Sequence, residues 1–144
     1  MLKSRSRAKN QRKTSNNKIK SATMSDEKTT IAKLKEIVKQ YNDERDYSQY
    51  HNPKELAIGA SVEASELLEL FMFKSNREME LMFKDSKKSQ DITDEMSDTL
   101  YYIIRLAQLY DIDLSEAFQK KMVQNRKKYP IKKAKGSNKK YNEL

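Results

Sequence analysis

The sequence predicts an all-α protein of four principal helices, and three observations lead there. Only 2 Gly and 2 Pro occur in 144 residues, and 35% of the side chains are charged; a sheet protein needs many more turn residues than that. Long stretches repeat their apolar positions with a 3.6-residue period. The length fits one domain with room for a core of packed helices.

The first helix is expected over residues 30–43, with Ile31, Leu34, Ile37, Val38 and Tyr41 as its buried stripe. A polar, aromatic-bearing connection follows, Arg45-Asp46-Tyr47-Ser48-Gln49-Tyr50-His51. Asn52 then reads as an N-cap, with Pro53 at the first helical position and Glu55 at N3, so a second helix starts there and runs to about residue 74. Residues 75–90 are charged and weakly patterned, although Met79, Leu81, Met82 and Phe83 point to a short helix inside the connection.

Asp91 or Thr93 is expected to open the third helix, which reaches Tyr110 with Ile92, Met96, Leu100, Ile103 and Ala107 at its buried centre. Asp113, with Glu116 at N3, opens the fourth. Its inner face carries Leu114, Phe118 and Met122, together with Lys121 and Asn125, polar groups that need partners. Pro130 stops this helix. Residues 131–144 then form a basic tail with one glycine hinge, Gly136.

Charge is unevenly placed. The chain carries a formal net charge of +9, but residues 1–23 hold eight Lys/Arg and no acid, residues 125–140 hold eight more, and residues 24–124 come to about −6. The body is acidic and the ends are basic. Residues 1–23 contain no apolar run, which excludes a secretory signal or membrane anchor there, and they read as a disordered basic extension. Met24 looks like a natural start, leaving a vector remnant, an upstream start and a basic arm as origins of that extension. No segment approaches the roughly 20 apolar residues of a membrane span. The absence of Cys excludes disulfide and thiol chemistry and is consistent with the cytoplasm.

Two acidic pairs stand out against this background, Glu63/Glu66 and Glu95/Asp98, each spaced i,i+3 within an apolar helical segment. At about 100° per residue, Glu63 projects among Leu56, Leu67 and Leu70, and Glu95 projects between Tyr102 and Leu106. Glu66 and Asp98 stand at the edges of the same sectors, whereas Glu69 points away toward Ser65 and Ile58 as an ordinary solvated residue. Carboxylates turned inward need a cation, and a set of oxygen ligands without His or Cys favours a hard ion, Mg²⁺ or Mn²⁺. If the second and third helices pack antiparallel at about 8–10 Å, the four acids form one cup. Such a cup repels a nucleoside triphosphate unless metal ions bridge the two, and Lys and Arg of the fourth helix and tail are placed to hold distal phosphates.

Several ordered segments resemble the MazG-like all-α nucleotide pyrophosphohydrolases, and within them the small dCTP-pyrophosphatase type. Residues 45–54, Arg45-Asp46-Tyr47-Ser48-Gln49-Tyr50-His51-Asn52-Pro53-Lys54, are similar to that group's RDWxQFHxPK. Ser61-Val62-Glu63-Ala64-Ser65-Glu66-Leu67-Leu68-Glu69-Leu70-Phe71 resembles xxEVGELxELF, and Asp94-Glu95-Met96-Ser97-Asp98-Thr99-Leu100-Tyr101-Tyr102 follows EExxDxLxY. Lys121-Met122-Val123-Gln124-Asn125-Arg126-Lys127-Lys128-Tyr129-Pro130 is like KMxxNxxRYP, and the ending Lys140-Tyr141-Asn142-Glu143-Leu144 resembles KY-x-EL.

The resemblance implies a MazG-like four-helix bundle that assembles into a dimer or tetramer. It implies Mg²⁺, with Mn²⁺ as a substitute, on Glu63, Glu66, Glu95 and Asp98. The implied reaction is hydrolysis of a (deoxy)NTP, such as dCTP or a modified nucleotide, to NMP and pyrophosphate by metal-activated water attack. Tyr47, Gln49, Tyr50 and His51 match the segment lining the nucleoside pocket, and Tyr102 matches a pocket tyrosine. Lys121, Asn125, Lys128 and Tyr129 match positions that contact phosphate or sugar, as do Lys140 and Tyr141 in the tail. Tyr47 stands where the pattern has Trp, and Phe73-Lys74 replaces a Trp-Lys pair, so two base-contacting surfaces differ from it. Gly59 and Ser65 are small enough for close helix packing.

The competing expectation is a basic-tailed helical protein that associates with nucleic acid and has no catalysis, supported by the charged ends. A third is a non-enzymatic bundle that holds a divalent ion for stability. The inward acids favour the enzyme over both, with no membrane or nucleic-acid partner.

Overall fold

The computed structural model describes residues 24–144. Six helices run through them: α1 (Ile31–Asp43), α2 (Pro53–Phe71), α3 (Asn76–Met82), α4 (Ser86–Leu109), α5 (Leu114–Lys128) and α6 (Ile131–Ala134), with 3-10 turns at Tyr47–Tyr50 and Tyr141–Glu143. No strand occurs among the described residues, so the all-α expectation holds. The extension expected over residues 1–23 lies outside the described residues. No described helix is long and apolar enough to cross a membrane.

Local chemistry sets the helix starts. Asn52 Oδ1 accepts from the Glu55 amide at 3.0 Å, Thr30 Oγ1 from the Lys33 amide at 3.1 Å, and Asp113 Oδ1 from the Glu116 amide at 2.9 Å. Each such cap is worth about 1 kcal/mol. Ser75 and Glu78 close a reciprocal capping box at the start of α3, the short helix expected inside the connection.

Two boundaries differ from expectation. α4 begins at Ser86 rather than at 91 or 93, because Asp85 Oδ1 caps the Lys88 amide at 2.9 Å. The first turn of α4 faces solvent and carries no apolar stripe, so periodicity is silent there. α2 ends at Phe71 rather than near 74, where Met72 turns extended and Phe73 takes a left-handed φ of 60°.

α2 packs antiparallel along α4, and α1 packs on α4 as well. Leu56 from α2, Met82 from α3, and Ile92, Ile104 and Ala107 from α4 form the buried apolar centre. Full burial of one of the larger side chains contributes roughly 1.5–3 kcal/mol. Met96, Leu100 and Ile103, expected at the centre with Ile92 and Ala107, are instead exposed. They lie at i, i+4, i+7 on the side of α4 turned away from its neighbours, an apolar stripe without cover inside one chain. Ile37 and Tyr41 of α1 are likewise exposed rather than buried.

The fourth anticipated helix forms as α5 but makes at most slight contact with α1, α2 or α4. Phe118, expected on its inner face, is 68% exposed. Lys121 is exposed as well, while Leu114, Met122 and Asn125 are half-buried.

Candidate active site

The antiparallel run of α2 against α4 decides what meets what. Gly59 lies against Tyr102, and one and two turns further along α2 Glu63 and Glu66 come to Glu95. One carboxylate oxygen from each of Glu63, Glu66 and Glu95 falls within 4.8 Å of the other two. Asp98, one turn from Glu95 on α4, is outside that triad but lines the adjoining cleft together with Glu63. The half-buried members are Glu63 and Glu95, the two placed inside the apolar sectors by periodicity, while Glu66 and Asp98 are exposed at the edges.

These acids crowd one another without a protein cation to relieve them. Every ion pair found among the described residues lies elsewhere. Partial burial, then the charges of Glu66, Asp98 and Glu95, hold the Glu63 carboxyl above the usual glutamate range. Glu95 is raised in the same direction, first by desolvation and then by Glu66 and Asp98. Three converging carboxylates, with no His or Cys among them, suit a hard oxygen-loving divalent cation of the Mg²⁺ or Mn²⁺ kind.

Beside the acids opens a cleft of about 530 Å³. Ile37, Val38 and Tyr41 of α1 form one wall; Tyr47 and His51 from the connection form another; Glu63, Asp98, Tyr101 and Tyr102 complete it. The rings hold one another edge to face. Tyr41 lies 6.3 Å from Tyr47 and 6.0 Å from Tyr101, and Tyr101 lies 5.2 Å from Tyr102, measured between ring centres. Arg45 stacks over the Tyr41 ring at 3.8 Å. The Tyr102 phenol is held above its ordinary pKa by burial and then by Glu63 and Asp98, which places it beside both acids.

Gly59 makes that placement possible. A Cβ at this position would stand 2.2 Å from Tyr102 Cε1, so only a residue without a side chain lets the ring lie on α2. Ser65, expected to serve close helix packing too, is exposed and bonds back to the Ser61 carbonyl at 2.7 Å. It belongs to a shallow depression of about 540 Å³ along the outer face of α2, between Lys54 and Glu69. That depression has no aromatic wall, and of the four acids only Glu66 borders it.

Of the other residues singled out in the sequence, Tyr47, His51 and Tyr102 reach the cleft and the rest do not, within a single chain. Gln49 closes its own turn on the Asp46 carbonyl at 3.0 Å. Tyr50 is 64% exposed, and Phe73 is 95% exposed beyond the end of α2, followed by an exposed Lys74. Lys121 and Asn125 sit on α5, away from the cleft lining. Lys128 and Tyr129 pack instead on the tail, the ammonium 5.1 Å and the ring 6.2 Å from the Tyr141 ring centre. The Lys140 amide bonds the Glu143 carboxylate at 3.2 Å.

The sequence reading missed the residues that brace the cleft from behind. Asn42 is fully buried; its Oδ1 accepts from the Tyr101 hydroxyl at 2.8 Å and its Nδ2 donates to the Val38 carbonyl at 2.7 Å. Arg105, 1% exposed, donates to His51 Nδ1 at 3.1 Å, to Ser48 Oγ at 2.9 Å and to Gln108 Oε1. A signal for Arg105 was present: it is a lone charge inside the apolar run Tyr101-Tyr102-Ile103-Ile104-Arg105-Leu106-Ala107.

An all-α chain whose two central helices bring acids together beside an aromatic cleft has the make-up of a nucleotide-handling helical protein. The chain belongs to the MazG-like family, which it matches over residues 58–144. It is 34% identical over 115 residues to dCTP pyrophosphatase 1 of Mus musculus, and 33% identical over 115 residues to that of Homo sapiens. Each alignment covers 80% of this chain and 68% of the relative. The crystal structure of a pyrophosphatase from Archaeoglobus fulgidus superposes with a TM-score of 0.65 at 33% identity, over 69% of this chain and 92% of that one.

Proposed function

We propose that this nucleotide pyrophosphohydrolase converts a (deoxy)nucleoside triphosphate, of the dCTP or modified-nucleotide kind, to the monophosphate and pyrophosphate, with Mg²⁺ or Mn²⁺ on Glu63, Glu66, Glu95 and Asp98. The observation that carries this reading is the double membership of Glu63, which belongs both to the carboxylate triad and to the wall of the aromatic cleft. A nucleoside seated among the rings would therefore set its phosphates beside the acids. The names of the relatives support the same chemistry. A divalent ion bound there supplies a nucleophilic water at neutral pH and charge compensation for the phosphates.

The chain's own residues do the rest. Tyr47, Tyr101 and Tyr102 offer ring faces and edges to a base and exclude water from one side of it. Tyr47 and Phe73 are the positions that set base preference, since aromatic area there replaces the Trp of the family pattern. Lys121, Asn125, Lys128, Tyr129, Lys140 and Tyr141 serve phosphate and sugar, with residues 131–144 as a basic lid hinged at Gly136, whose φ is +74°. We read the chain as cytoplasmic, acting on the nucleotide pool.

We also propose that the working form is a dimer or tetramer. Ile58 and Val62 on α2, the Met96, Leu100 and Ile103 stripe on α4, and Phe118 on α5 are all exposed apolar side chains that one chain leaves uncovered. A second copy would cover them and bring its α5 and tail within reach of the neighbouring cleft. Pyrophosphate release across a panel of canonical and modified triphosphates with Mg²⁺ tests the reading. Turnover of at least one triphosphate, abolished in Glu63→Gln, is expected. No turnover of any would overturn it.

A further inference from the structure

Arg105 is a permanent charge placed where charge is costly. The residue is 1% exposed, and the three partners of its guanidinium, His51, Ser48 and Gln108, are all neutral acceptors rather than carboxylates. Leaving a buried cation without an anion costs several kcal/mol, so the position demands a reason beyond packing. The contact with His51 supplies one. Guanidinium nitrogens only donate, so His51 Nδ1, at 3.1 Å from Nε of Arg105, must offer its lone pair. An imidazole accepting at Nδ1 carries its proton on Nε2. A second proton at Nδ1 would set donor against donor inside the same buried contact.

We infer that Arg105 is a positioning residue that locks His51 as the neutral Nε2–H tautomer, so that the imidazole presents a hydrogen-bond donor to the cleft and selects a substrate group that accepts. His51 lines that cleft while Arg105 stands behind it. Ser48 and His51, held by the same fork, both lie on the connection that also carries Tyr47. Burial and then the Arg105 charge push the His51 pKa below its ordinary value, in keeping with a ring kept neutral. The nature of the accepting group rests on the proposed nucleotide substrate: a carbonyl oxygen or unprotonated ring nitrogen of the base, or a sugar oxygen. The tautomer itself does not rest on that reading.

The chain contains a single histidine, so ¹⁵N-histidine labelling of the full chain gives one imidazole in a long-range ¹H–¹⁵N spectrum. The expected wild-type spectrum at neutral pH shows a pyridine-like Nδ1 and a pyrrole-like Nε2. Arg105→Met, checked for helical content by circular dichroism, should move both shifts toward the averaged values of a tautomer mixture. An Nδ1–H tautomer in the wild type overturns the inference even if Arg105→Met fails to fold, and an unchanged spectrum in a folded Arg105→Met overturns it too. In kinetics Arg105→Met should raise KM about tenfold, the worth of one buried hydrogen bond, with kcat little changed. Added to His51→Ala, the same substitution should change KM less than about twofold; full additivity would show that Arg105 does not act through His51. A chain that hydrolyses no nucleotide but shows the locked tautomer would sink the proposed function and spare the inference.

Discussion

Replacing Gly59 by Ala sets two effects of known size against each other. In a helix interior the exchange should stabilise by about 1 kcal/mol, because glycine loses more backbone freedom on folding. At this position the new Cβ would meet Tyr102 at 2.2, 2.5 and 2.6 Å from three ring atoms, where ordinary contact starts at 3.4 Å. The ring must retreat by more than about 1 Å, and it is rigid and already braced by Tyr101 at 5.2 Å. Overpacking of this kind costs roughly 1–3 kcal/mol, so it outweighs the propensity gain. The expected net loss of about 1 kcal/mol lowers Tm by roughly 4 °C. KM for the nucleotide should rise about tenfold, because Tyr102 is displaced from the cleft wall. Thermal melting and steady-state kinetics of Gly59→Ala read both. In a Tyr102→Ala background the clash is gone, and Gly59→Ala should then stabilise by about 1 kcal/mol. A single Gly59→Ala variant that melts higher than wild type with unaltered KM would refute the close approach of α2 and Tyr102.

Further outcomes follow from the same geometry. Glu63→Gln or Glu95→Gln should lower turnover by several orders of magnitude with circular dichroism unchanged; wild-type rates would remove both acids from the reaction. The raised pKa values of Glu63 and Glu95 mean that the metal-free folded state keeps their protons longer than the unfolded state does. Their contribution to stability is complete below the ordinary glutamate value of 4.5 and is lost as pH rises through the raised values. Metal-free Glu63→Gln should therefore melt above wild type at neutral pH. Mg²⁺ at a hundred times its Kd should add about 2.7 kcal/mol to wild type and much less to the variant, and melting curves that ignore Mg²⁺ in both would count against the cation cluster. Deleting residues 131–144 should weaken nucleotide affinity while leaving Tm nearly unchanged, since Ile131 and Tyr141 are exposed; calorimetric titration with a non-hydrolysable analogue measures the first. Asn52→Ala should cost about 1 kcal/mol through loss of the α2 cap, read by urea denaturation.

What the amino-acid order determined by itself is whatever depends on neighbours within a turn or two. The caps at Asn52 and Asp113 form as anticipated because donor and acceptor are three residues apart. The inward turn of Glu63 and Glu95 was legible for the same reason, since angle around a helix follows from sequence spacing. The start of α4 was not legible, because its polar first turn has no periodicity to read.

The contacts that brace the cleft from behind belong to tertiary structure alone. Arg105 meets Ser48 and His51 from 57 and 54 positions away, and Asn42 meets Tyr101 across 59. No local pattern specifies such pairs; they depend on how far α2 and α1 slide along α4 before their side chains interlock. That register also decided that Gly59 would face Tyr102 and that Met96, Leu100 and Ile103 would face outward. A helix carries its periodicity in its own residues, but only packing against a partner decides which of its faces is covered.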